Sequence, residues 1–238
     1  MEQVVLLPGL MCDERLFSPI IKPLNQKCHI HTPVMDHFKT MDEMANFVLN
    51  SIKGSFHTVG LSMGGIIAMT LAIKDPGRVK SMILMDTSPH PDSARKKAMR
   101  DIQIEAVSDT KDLQRLVAAE LKPNYVHNEW TNQHVLDLCM KMALDLGFEV
   151  FVNQYLALRN RHSLVSSLSQ INCKTLVLCG EHDKLCPVSV HEEMVNYISN
   201  STLSVIPNCG HLPILEEPAI CTKKILSFLN LGLDECRV

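Results

Sequence analysis

A chain of 238 residues, 46% hydrophobic and 21% charged, is long enough for one large α/β domain or two small ones and can bury a sizeable core. Its formal charge of −3 gives no electrostatic reason to expect nucleic acid or an anionic membrane surface as a partner, and no apolar run approaches the length needed to cross a bilayer. Nine cysteines, an odd number with no CxxC pair and no zinc-type Cys/His spacing, read as reduced, mostly buried small side chains, so no metal site is expected. The opening MEQVVLLPGLMCDERLF lacks a positively charged start, and Pro8 and Gly9 break its apolar run, which does not match a secretory signal. With reduced thiols, the expectation is a cytoplasmic protein.

Short β-branched apolar runs alternate with longer amphipathic segments, the pattern of a mostly parallel central sheet flanked by helices, an α/β fold. In chain order, strands are predicted over VVLLP (4–8) and HIHTP (29–33), then a helix over 41–52. A strand over FHTVGL (56–61) leads into a helix over 64–75, and another strand follows over SMILMD (81–86). From about Thr87 to Ser169 no strand-like run occurs, charges are dense and nearly balanced, and apolar residues recur at helical spacing, as in residues 112–121 and 134–148. A strand over TLVLCG (175–180), a helix over 189–199, a strand over TLSVIP (202–207) and a helix over 214–230, interrupted near its start by Pro218, complete the chain. Several strand runs end in Pro, Gly or Asp, where a strand gives way to a loop. With no internal repeat or flexible linker, residues 1–87 and 169–238 read as one core and residues 88–168 as a helical insertion.

Gly60-Leu61-Ser62-Met63-Gly64 fits GxSxG, with a strand before it and a helix after it. A serine on so sharp a turn takes an unfavourable backbone conformation, and only residues without side-chain bulk fit two positions either side. The turn lifts the hydroxyl above the sheet edge, at the positive end of the following helix. A chain of this length matches the bare pattern by chance roughly 8% of the time, so the motif needs its partners. Such a serine requires a base, and the base an orienting carboxylate, in the chain order Ser, acid, His. Asp183 follows the strand over 175–180 and His211 follows the strand over 202–207, which puts both at the carboxyl edge that carries Ser62. Alone, Asp183 reads as a turn cap and His211 as one of eleven histidines; jointly with Ser62 they read as a triad.

Asp86, at the end of a strand on the same edge, is an alternative acid, while Glu181 and His182 read as solvated loop residues. Cys186 and Cys209 lie close in sequence to the acid and the histidine, but neither sits on an elbow, so both read as packing residues. An oxyanion hole needs two backbone amides. The candidates are Met63, immediately after the serine, and Leu10, after the Pro8-Gly9 turn.

On these residues the chain resembles the α/β-hydrolase superfamily, in particular its small cap-bearing serine esterases and lactonases. The resemblance spans LLPGLMCDERLF at the oxyanion turn, GLSMGGIIAMTLAIKDPGRVKSMILMDTSP at the elbow, TLVLCGEHDKLCP at the acid and NCGHLPILEEP at the histidine. Many relatives carry His-Gly where this chain has Pro8-Gly9. The resemblance implies that residues 88–168 form a helical cap whose last helical part is 152–164, and that a carboxylic-ester hydrolase works through Ser62, His211 and Asp183 without a cofactor. A small-molecule ester of small or medium acyl chain is the expected substrate. Alternatives are an esterase acting on a pimeloyl methyl ester carried by an acyl carrier protein, an enol-lactonase, and, from another class, a non-catalytic receptor on the same scaffold. Arg95, Lys96, Lys97, Arg100, Arg159 and Arg161 would form a basic patch for an acidic carrier, or simply a solvated helix face.

Overall fold

In the computed structural model, which describes residues 1–230, six strands form one sheet. They are β1 (Glu2–Leu7), β2 (Cys28–His31), β3 (Phe56–Leu61), β4 (Val79–Met85), β5 (Lys174–Gly180) and β6 (Ser201–Ile206). Every pairing is parallel, in the order β2-β1-β3-β4-β5-β6. The chain moves from β1 to one edge, crosses back to β3 and then proceeds outward, so the strand order reverses between β1 and β3. In such sheets the carboxyl ends at that reversal leave a crevice for ligands.

Alternation along the strands divides the core. Val4 and Leu6 of β1, Val59 and Leu61 of β3, and Leu176 and Leu178 of β5 face one side, against Ile20, Leu24, Ile225 and Leu226 of α1 (Ser18–Asn25) and a C-terminal helix. Val5, Leu7, Met82, Leu84 and Val177 face the other, against α2 (Met41–Ser51) and α3 (Met63–Lys74). α3 buries every residue from Met63 to Ala72, as a helix enclosed on all sides must, and its apolar residues accordingly show no single face. α2 begins with a reciprocal cap: Thr40 Oγ1 accepts the Glu43 amide at 3.1 Å, while the Glu43 carboxylate accepts the Lys39 amide at 3.0 Å.

Between β4 and β5 the described chain forms no strand, and its regular elements are helical: α4 (Ala94–Ala106), α5 (Thr110–Leu116), a wide π-type turn over Val117–Leu121, and the long α6 (Gln133–Asn160). α6 packs Phe151 and Tyr155 with Leu113 and Val117 into a separate apolar cluster that reaches Met11 after β1. Gly147, whose φ of 83° and ψ of 174° suit only glycine, breaks α6 into two helices, close to the end of the segment 134–148 read from the spacing; the second, placed over 152–164 by the resemblance, begins earlier and stops at Asn160. Arg161 is already extended. α7 (Val188–Tyr197), α8 (Pro213–Glu216) and α9 (Pro218–Phe228) cover the remaining strands, and Pro218 opens α9 where the sequence predicts an interruption. Among the described residues no helix is long and apolar enough to cross a membrane. Cys236 lies outside the described residues.

Candidate active site

β3 ends at Leu61 and α3 begins at Met63, so Ser62 alone makes the turn, at φ 54° and ψ −113°. Such a conformation costs about 1–3 kcal/mol and survives only where the surroundings enforce it. The Ser62 amide donates to Met85 O at 2.8 Å, and its carbonyl accepts from the Gly65 amide at 3.0 Å and from Thr87 Oγ1 at 2.7 Å. The flanking glycines are dictated by contact: a Cβ on Gly64 would lie 1.8 Å from Leu7 O, and one on Gly60 2.5 Å from Gly64 O.

His211 Nε2 lies 3.0 Å from Ser62 Oγ, and His211 Nδ1 lies 2.8 Å from Asp183 Oδ2. A carboxylate at Nδ1 fixes the proton there and leaves Nε2 to accept from the hydroxyl. The second Asp183 oxygen accepts the Leu185 amide at 2.8 Å and the Cys186 amide at 3.1 Å. Burial pushes the Asp183 carboxyl up, but the His211 imidazole and these two amides outweigh it, and the net displacement is downward. The His211 main chain is held by its amide donating to Tyr125 O at 3.0 Å. Three predicted residues, 149 positions apart at the extremes, thus meet at one point.

Asp86 does not touch the histidine. It is fully buried, its amide donates to Leu178 O at 3.0 Å, and its Oδ1 accepts the Gly180 amide at 2.9 Å, which ties β4 to β5. Burial, followed by the charge of Asp183, pushes its carboxyl well up, which favours the protonated form, and its Oδ2 is buried without a hydrogen-bond partner. A carboxyl raised in the folded state contributes stability below its unfolded value, near ~3.9, and loses it as pH rises. Asp86→Asn removes that titration. Its melting temperature relative to wild type is therefore expected to be higher at pH 8 than at pH 4, by about 2–4 °C per kcal/mol recovered. Thermal melts at the two pH values test this, and an equal difference at both would refute it.

Of the two candidate oxyanion amides, Met63 is the first residue of α3, where helix amides have no intrahelical acceptor. Leu10 follows Gly9, on which a Cβ would lie 3.5 Å from Ser62 Cβ, so this turn rests directly against the elbow. Gln154 of α6, which the sequence reading missed, supports the same turn: it is buried and its Oε1 accepts the Met11 amide at 2.8 Å. The only hint of it in the sequence is a glutamine among apolar helix positions. Leu10, Ser62 and His211 open onto a cavity of about 320 Å³, whose apolar wall includes Leu61, Ile66 and Leu158.

Burial pushes the thiols of Cys186 and Cys209 far above the range in which a thiolate forms, so neither competes as nucleophile. Cys186 Sγ, Asp183 and His211 lie within 4.8 Å of one another, but the carboxylate and both imidazole nitrogens already bind each other and Ser62. Glu181 and His182 are exposed, and His182 stacks on His127 at 4.0 Å. The basic residues read either as patches for an acidic carrier or as a solvated helix face separate. Arg95 is exposed and Arg159 pairs with Asp101, whereas Arg100 and Arg161 turn inward and are largely buried.

A family model described as alpha/beta hydrolase fold matches residues 18–218. A putative 2-succinyl-6-hydroxy-2,4-cyclohexadiene-1-carboxylate synthase of Bacillus subtilis is 26% identical over 87% of this chain and 76% of its own. A pimeloyl-[acyl-carrier protein] methyl ester esterase of Nitrosomonas europaea is 21% identical over 90% of each. The chain also matches vertebrate monoacylglycerol lipases, spanning 55% of the length of the bovine one. Among solved structures, a thermophilic esterase from Thermogutta terrifontis superposes with a TM-score of 0.86 at 27% identity, over 97% of this chain and 90% of that one.

Proposed function

The chain belongs to the alpha/beta hydrolase family, and from that membership we propose that it is a serine hydrolase cleaving carboxylic esters of small or medium acyl chains. The observation that carries this is the unbroken relay from Ser62 Oγ through both His211 nitrogens to Asp183, at 3.0 and 2.8 Å, ending on a strained elbow. His211 takes the hydroxyl proton as Ser62 attacks the acyl carbonyl, and Asp183 steadies the imidazolium that forms. The amides of Leu10 and Met63 receive the negative charge on the carbonyl oxygen. His211 then protonates the leaving alcohol. A water, deprotonated by the same nitrogen, releases the acid and regenerates Ser62. These steps need only the named groups and water. Residues 88–168 act as the cap that closes the cavity, and about 320 Å³ is at the small end of ligand sites, which suits a short or medium acyl chain.

The test is a fluorophosphonate probe followed by peptide mass spectrometry and a panel of 4-nitrophenyl acyl esters. Modification at Ser62 and turnover of the short esters are expected. Labelling elsewhere, or ligand binding without turnover of any ester, would overturn the enzymatic reading in favour of a receptor.

A further inference from the structure

α4 buries a single residue, and that residue is an arginine. Arg100 is 7% exposed, with its guanidinium over the Tyr155 ring at 4.7 Å and its Nε donating to Asp92 Oδ2 at 2.5 Å. Two further cations face the same carboxylate from longer range: Arg161 at 3.4 Å and Lys96 at 3.6 Å, beyond the 2.7–2.9 Å of a good charged hydrogen bond. All four residues line the cavity that holds Ser62 and His211. Among the described residues Asp92 is the only acidic one on that wall, and His90, also on it, is already held by Glu193 at 2.7 Å. Among the described residues of this wall, three cations thus face one carboxylate. The Arg161 side chain is only 10% exposed, and its Nε is buried without a partner.

A cation withdrawn from water without its own counter-ion is costly, and burial lowers the Arg161 guanidinium's affinity for its proton, though not enough to discharge it. A merely structural pair would need one arginine for one aspartate. Around Asp92 the surplus is arranged on the cavity wall, where a ligand completes the balance. We propose that this cavity is specific for esters that carry a carboxylate, with Asp92 holding Arg100 in place and Arg161, assisted by Lys96, receiving the anion. This deepens the ester-hydrolase reading and rests on it.

Matched ester pairs test the inference. Mono(4-nitrophenyl) adipate against 4-nitrophenyl hexanoate places the anion in the acyl half, and 4-carboxyphenyl butyrate against 4-carbamoylphenyl butyrate places it in the alcohol half, with rates corrected for spontaneous hydrolysis. In at least one pair the anionic ester is expected to have a kcat/KM about ten- to a hundredfold higher. That ratio is expected to collapse towards one in Arg161→Gln, to recover in part in Arg161→Lys, and to persist in Arg95→Gln, which alters an exposed residue off the cavity wall. Melting curves identify any variant that fails to fold, and the wild-type ratio needs no variant at all. Turnover of both pairs without preference, or a preference indifferent to Arg161, would overturn the anion site and leave the hydrolase standing. No turnover of any ester would instead sink the hydrolase reading. Calorimetry of monomethyl adipate against methyl hexanoate on Ser62→Ala then still decides the anion site, because equal binding of the two refutes it.

Discussion

Replacing Ser62 with alanine is expected to lower ester turnover by a factor on the order of 10⁴ to 10⁶ while leaving the protein folded. The hydroxyl is the only atom removed, and its hydrogen bond to His211 Nε2 ties down no secondary-structure element, whereas the backbone bonds to Met85, Gly65 and Thr87 that hold the elbow remain. What survives would come from the two oxyanion amides acting on a bound ester with water as nucleophile. Rates measured on protein purified away from any host esterase check this. A variant retaining more than about one part in a hundred of wild-type activity would show that Ser62 is not the nucleophile.

Asp183→Asn is expected to lower kcat by about 10⁴ with little change in structure. An amide at this position can present its NH₂ group to His211 Nδ1 and so favour the tautomer with the proton on Nε2, which cannot accept one from Ser62. It also withdraws the charge that steadies the imidazolium. The pH dependence of stability separates this from mere damage. Asp183 is depressed in the folded state, so its contribution is present above the unfolded value near ~3.9 and is lost as pH falls through the lower folded one. Wild type and variant should therefore converge in melting temperature as pH drops below that range. A gap that widens there would contradict the assignment.

The sheet was legible because its four central strands are covered on both faces and read as near-continuous apolar runs, with the less buried β2 and β6 at its edges: all six form, with ends within two residues of those predicted. The helix Ser18–Asn25 was not, because Pro19 and Pro23 argue against it; Pro19 is tolerated in its first turn, and packing of Ile20 and Leu24 on the sheet overrides Pro23. The candidate triad was readable because each member follows a strand end, a position that pattern alone can assign. Asp86 occupies an equivalent position, and only coordinates separate an acid facing the imidazole from one bound to the Gly180 amide. The cluster of Asp92, Arg100 and Arg161 was invisible for a different reason. Charged residues among other charges read as solvated, and nothing local reveals that Arg100 on α4 and Arg161, just past the end of α6, turn inward.

The glycines at the ends of the strands carry one more consequence. A Cβ on Gly180 would lie 1.9 Å from Gly210 O, as tight as the clearance at Gly64, so the loops bearing the acid and the histidine touch main chain to main chain, just as the elbow touches the end of β1. The candidate catalytic groups are aligned by this backbone abutment, and side chains brace it: the Glu216 carboxylate accepts the Gly210 and Leu212 amides, and Asp86 the Gly180 amide. Much of the cavity wall, by contrast, is borne by the segment between β4 and β5. Evolution, or a protein engineer, can therefore alter what this molecule accepts by changing cavity-facing residues of that insertion, provided Gln154 and the Tyr125 carbonyl, which brace Met11 and His211, are kept.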